Sequence, residues 1–136
     1  MAKLNKKRDT GCPVAFALDS IGDRWSLLII RDMVAKGYRT YGEFLDSEEA
    51  IATNVLADRL RELEADGVIA SSRDPDNHRK INYTLTNKGC DLVPVIMEMV
   101  RWSAKYDPNT TAKKKILKRI ETDRDEFFQE LTAQFR

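Results

Sequence analysis

The chain has 136 residues, 42% hydrophobic and 33% charged, the make-up of one helix-rich soluble globular domain. Its 23 Lys and Arg against 22 Asp and Glu leave a net charge of +1, which excludes bulk basicity as a reason to bind nucleic acid; any such contact must come from a local patch. Two cysteines, the absence of a signal peptide and the lack of any apolar run long enough for a bilayer argue against a disulfide-stapled secreted protein or a membrane protein, and predict a cytoplasmic one with free thiols.

From the start, Met1 to Arg8 carries Lys3, Lys6, Lys7 and Arg8 with nothing that could pack, so residues 1–11 read as a flexible basic arm. Cys12-Pro13 then opens a short helix to about Ile21, since proline is favoured in a first helical turn. A thiol at that position feels the positive end of the helix dipole, which favours thiolate; the plainer alternative is a small residue at a helix start with no chemistry. Gly22 separates this helix from a second, about Arg24 to Ala35, whose Trp25, Leu28, Ile29, Met33 and Val34 make a broad buried face ended by Gly37. A third, Tyr41 to Asp46, has the capping-box pair Thr40 and Glu43 and is held to the core by Phe44 and Leu45.

The stretch Ile51 to Ile69 follows the acidic turn at 46–50 and completes a helix-turn-helix. Leu56, Leu60 and Leu63 form its apolar stripe, with Thr53 as the expected N-cap and Gly67 as the left-handed stop. On the other side Asn54, Ala57, Asp58 and Arg61 line one exposed ridge. Val68 to Arg73 and Lys80 to Leu85 then read as two strands around the turn-rich Asp74-Pro75-Asp76-Asn77. A helix with an amide and a guanidinium on its ridge suits a major groove, and a hairpin with Arg73, His78, Arg79 and Lys80 suits the phosphates. The competing reading is a solvated polar face and a polar turn, and Asp58, Glu62 and Glu64 favour it because carboxylates repel phosphates.

Past the hairpin, Thr86 is expected to cap one long helix to about Tyr106, kinked by its interior Pro94. Leu92, Val93, Ile96, Met97, Met99, Val100 and Trp102 spread around more than half of it, more than a domain of this size can cover. After a break at Pro108, a last amphipathic helix is predicted over about Ala112 to Gln134. Its phenylalanines need a partner. A second copy of the chain is the favoured one, and folding back on its own domain the alternative.

Catalysis finds little support. His78, the only histidine, sits at a hairpin tip where nothing shapes a cavity, Cys12 and Cys90 lie far apart, and no zinc-binding pattern or glycine-rich phosphate loop is present, so no cofactor and no metal are expected.

The segments CPVAFALDSIGDRWSLLIIRDM, YGEF, IATNVLADRLRELEADGVI, the hairpin, LTNKG and a proline-containing helix ending in Trp102 together resemble the HxlR-type branch of winged-helix transcription regulators, relatives of the MarR type, over about Cys12 to Tyr106. The resemblance implies a mainly α winged helix-turn-helix domain with a small β-hairpin wing and dimerisation helices at its N- and C-terminal ends. It implies a homodimer on a double-stranded DNA operator, with the Thr53 to Asp66 helix in the major groove and residues 71–84 as the wing. Some members sense electrophiles or oxidants through the cysteine that Cys12 matches. The organisation expected is thus the arm at 1–11, a winged-helix domain with its dimerisation helix at 12–106, and a charged extension for dimerisation at 107–136. Two alternatives stay open: a small-molecule effector between dimer helices, near Met97, Met99, Trp102 and Tyr106, without thiol sensing; and a winged helix that binds protein.

Overall fold

The structure, a computed structural model, describes residues 10–136; the basic arm lies almost wholly outside the described residues. The order is α1 (Pro13–Ile21), α2 (Ser26–Ala35), α3 (Tyr41–Leu45), α4 (Thr53–Ala65), β1 (Ile69–Arg73), β2 (Ile81–Leu85), α5 (Asn87–Cys90), α6 (Val93–Tyr106), α7 (Lys114–Thr122), α8 (Arg124–Thr132) and a closing 3-10 turn (Ala133–Phe135).

Local chemistry fixes most of these boundaries. At α1, Pro13 stands in the first turn and Cys12 takes the extended N-cap geometry, as expected. The capping box of α3 is complete: the Glu43 amide donates to Thr40 Oγ1 at 3.2 Å and the Thr40 amide to Glu43 Oε1 at 3.1 Å. Gly67, at φ +78°, turns the chain out of α4 into β1. The strands pair antiparallel from Ile69 opposite Leu85 to Arg73 opposite Ile81, each starting one residue later than the alternation suggested.

The core is one cluster shared by all parts of the helix-turn-helix. Ile29, Ile30 and Met33 of α2, Phe44 of α3, and Leu56, Leu60 and Leu63 of α4 meet Val68, Ile69 and Leu85 at the root of the hairpin. Cys90 and Ile96 close it from the other side. Trp25 is half-buried against this cluster rather than within it. Gly89 is required where α5 crosses the hairpin, since a Cβ there would stand 2.3 Å from the Val68 carbonyl oxygen.

Three expectations are corrected. Thr53 is the first residue of α4, not its N-cap: Ala52 holds the cap position and supplies no side-chain bond, so the exposed start of α4 has a free Thr53 side chain. The single helix from Thr86 is two. Thr86 does cap, but it caps only α5, and Pro94 sits in the first turn of α6, where a missing amide costs nothing; the proline starts a helix instead of kinking one. The last helix is also two, broken at Asp123 (φ −143°, ψ 50°), and it folds back on its own domain. Ile120 and Phe127 are buried within the chain, α7 packs along α6, and α8 packs on α6 and α2. At its end Gln134 accepts from Arg39 Nη2 at 2.8 Å and donates to the Val34 carbonyl at 3.1 Å, while the Arg39 guanidinium lies over the Phe135 ring. The phenylalanine-rich face therefore has its partner within the same chain.

Candidate nucleic-acid interface

The outer side of α4 is positioned by its inner one. Leu56, Leu60 and Leu63 are locked in the core, so helical geometry turns Thr53, Asn54 and Arg61 to solvent and leaves Ala57 and Asp58 half-exposed beside them. The turn before α4 is pinned as well. Arg31 places a two-pronged grip on Glu49 at 2.7 and 3.0 Å and reaches buried Asp32 at 2.7 Å. The Arg31 grip, with a further hydrogen bond from Ser47, holds the Glu49 carboxyl down at about 2. Ala50 sits next to it in the left-handed region at φ +59°, a strained position for a residue with a Cβ. Tyr41 ties the two helices directly, its hydroxyl donating to the Thr53 carbonyl at 3.0 Å.

Asp58, one of the three carboxylates that count against a DNA-facing ridge, is paired. Arg59 Nη2 donates to it at 2.9 Å and Arg61 Nη2 approaches at 3.4 Å, so two guanidinium groups compensate one carboxylate. The hydrogen bond from Arg59, aided by the charges of Arg59 and Arg61, draws the Asp58 carboxyl below the usual range. Glu64 is occupied in accepting from the Ser71 hydroxyl at 2.6 Å, which joins the end of α4 to β1. Arg59 was not singled out in the sequence, although a basic residue next to an acidic one on a candidate reading helix was the available signal. Its other prong reaches Asp23 at 3.3 Å. Asp23 in turn holds the entry to α2, accepting from the Trp25 and Ser26 amides at 2.8 and 2.9 Å and from the Ser26 hydroxyl at 2.5 Å. Burial works to raise the Asp23 carboxyl, but these donors and Arg59 outweigh it and leave it lowered.

The hairpin holds the remaining cations. Asp74 organises its tip by accepting from the Asp76 and Asn77 amides at 2.8 and 3.2 Å and from the Asn82 side chain at 3.1 Å. Arg73 braces that tip, Nη1 donating to the His78 carbonyl at 2.7 Å, so part of its guanidinium is structural. His78, Arg79 and Lys80 are exposed at the tip. The Asp74 and Glu43 carboxyls are drawn below their usual range chiefly by the backbone amides of Asp76 and Arg39 respectively, and the Lys80 charge adds to both. The ridge and the hairpin are thus two adjoining exposed surfaces joined through Glu64 and Ser71.

This arrangement has known counterparts. Residues 20–111 match the HxlR-like helix-turn-helix family. The chain belongs to that family. Among HxlR-like relatives, the HTH-type transcriptional regulator sll1512 of Synechocystis is 34% identical over 88 residues, covering 65% of this chain and 64% of that protein, just under two thirds of its length. The redox regulator HypR, solved in its oxidised form, superposes with a TM-score of 0.61 at 34% identity over 69% of this chain and 96% of that one. The quinone-bound structure of YodB from B. subtilis gives a TM-score of 0.55 at 31% identity over 70% of this chain and all of that one, 100%. The chain is a transcriptional regulator with a winged helix-turn-helix domain, and its family is one of regulators rather than enzymes. The family match stops at residue 111, so α7, α8 and the closing turn lie beyond it.

The thiols differ sharply. Cys12 is exposed at the start of α1; Cys90 is buried in the core, as expected of a structural thiol. Among the described residues, every large hydrophobic side chain left exposed belongs to α1 or α6: Val14, Phe16 and Leu18 on one, Val95, Met99, Trp102 and Tyr106 on the other. Between the two helices runs an open apolar cleft of about 510 Å³, walled by Val14, Leu18, Leu27, Val95 and Met99, with Asp23 at its edge. No described helix is long and apolar enough to cross a membrane.

Proposed function

We propose that the protein is a cytoplasmic homodimer that reads operator DNA by placing α4 in the major groove, and that Cys12 makes it responsive to oxidants or electrophiles. The observation that carries the DNA reading is the division of α4, which has three leucines in the core and Thr53, Asn54, Ala57, Asp58 and Arg61 outside, beside a hairpin that offers Arg79 and Lys80. Asn54 and Arg61 are the groups able to read base edges, and Thr53, freed from capping, can meet a phosphate. Arg79 and Lys80 serve the backbone, with Arg73 bracing them and His78 beside them.

The dimer is supported by the apolar surface of α1 and α6, which a second copy would cover by twofold symmetry. Two α4 helices would then face two half-sites. Cys12 begins the same α1, so a change at its sulfur bears on the helix that this interface uses. HypR is a redox regulator and YodB has been seen with quinone bound, which favours a thiol response for this relative as well. A second reading has its own observation: the cleft between α1 and α6 is large and apolar enough for a small effector, with no thiol chemistry needed.

The test is a salt titration of binding to the DNA upstream of the protein's own gene against a scrambled duplex. Tighter binding to the upstream DNA, with a slope of several phosphate contacts, is expected. Equal weak binding to both would move the search to other DNA by selection from a random pool, and failure there would sink the reading. Cys12→Ser should then abolish any response to peroxide or quinone; a variant that responds as the parent does ends the thiol reading and leaves the cleft.

A further inference from the structure

The ion pairs behind α4 form a chain that runs from the α1–α2 junction to the ridge. Asp23 is fixed by three hydrogen bonds at the start of α2. Arg59 spans from Asp23 to Asp58, and Asp58 meets Arg61. Arg59 is only 23% exposed, Arg61 68%, so the first is held within the structure and the second is presented. We infer that Arg59 is the positioning residue that sets which DNA the ridge accepts: anchored on Asp23, it neutralises Asp58 and leaves Arg61 available to a base edge.

The inference rests on the DNA-reading function proposed above. Its physical reason is a competition for one carboxylate. With Arg59 in place, the nearer guanidinium satisfies Asp58, and the Arg61 contact at 3.4 Å is the weaker one. Without it, Asp58 has only Arg61 to pair with. The ridge would then draw its own reading side chain inward, onto Asp58. Arg59 therefore acts on specificity without touching a base.

The experiment compares four proteins of full length: the parent, Arg59→Gln, Asp58→Asn and the double variant, each against a duplex selected by the parent from a random pool and against a scrambled one. Arg59→Gln should lower affinity for the selected duplex about tenfold and shrink its advantage over the scrambled one, with the salt slope unchanged. Adding Asp58→Asn should restore most of both losses, because it removes the carboxylate that Arg59 controlled. Both variants lack the Arg59–Asp23 contact, so any loss of folding is common to them and cancels from their comparison.

A double variant no better than Arg59→Gln, with a salt slope smaller by about one, would overturn the proposal and make Arg59 a phosphate contact instead. Unchanged binding by Arg59→Gln would overturn it too. In the free protein, NMR titration of the Asp58 carboxyl should move upward in Arg59→Gln. A parent that selects no sequence would sink the reading function itself and the proposal with it. A parent that selects one, with an Asp58 titration unmoved by Arg59→Gln, would sink the proposal alone.

Discussion

Helices α4 and α6 are close in length, 13 and 14 residues, and each buries one side; they differ in what they leave outside. The outer side of α4 is polar and its charges are organised by neighbours, whereas that of α6 keeps Val95, Met99, Trp102 and Tyr106 in contact with water. An exposed polar face is the ordinary state of a globular protein's surface, so α4 earns a function only from the residue types on its ridge and the hairpin beside it. A contiguous exposed apolar face, by contrast, asks for a partner by itself. In one chain, the first face is the one proposed for DNA and the second the one proposed for a second copy.

The inner side of α4 provides the largest test of this contrast. Leu60→Ala should destabilise the domain by about 3 kcal/mol in urea unfolding, because the cavity opens in the shared core. A cost under about 1 kcal/mol would mean that α4 is not seated as described. Trp102→Ala, on the outer face of α6, should leave the stability of the dilute protein nearly unchanged yet weaken self-association at least tenfold by sedimentation equilibrium. An unchanged monomer–dimer equilibrium would take α6 out of the interface.

On the ridge, Arg61→Ala should cost about 1 to 3 kcal/mol of specific binding and relax the preference at one base position. Arg79→Ala should weaken all duplexes alike and reduce the salt slope by about one. If the two variants behave identically, ridge and hairpin do not divide the work between base and backbone.

The smallest effect concerns the turn that sets the angle of α4. Glu49 is held at about 2 by Arg31, below its ordinary value of 4.5. A carboxyl lowered on folding contributes stability that is complete above the ordinary value and lost as the pH falls toward about 2. Thermal midpoints should therefore decline through that window, and Glu49→Gln should flatten the decline. An equally steep decline in Glu49→Gln would assign the acid sensitivity to other carboxyls.

Much of this was legible in residue order. The capping box at Thr40 and Glu43, the Pro13 start of α1, the leucine stripe of α4 and the Gly67 stop each act within a few residues, and the folded chain uses them where the pattern put them. Pro94 and Thr53 are ambiguous in sequence for a related reason. A proline forbids the helix interior but suits its first turn, and only the ending of α5 at Cys90 tells which applies. A threonine before a leucine stripe can be N-cap or first residue, one position apart. The four-residue chain from Asp23 to Arg61 spans 38 positions and has no local signature beyond an Asp–Arg neighbour pair.

The sequence by itself determined the helix-turn-helix, the hairpin and the polar ridge of α4, because periodicity, caps and turn residues are properties of neighbours along the chain. It also determined that α6 and the last segment carry more apolar surface than their own helices can hide. What covers that surface was decided by tertiary structure. Burial is a long-range choice among faces that all look alike in sequence, so the apolar side chains of α7 and α8 could pack on α2 and α6 as well as on a second copy. Only the folded chain shows that they pack at home, and that the apolar face still open is the one made by α1 and α6.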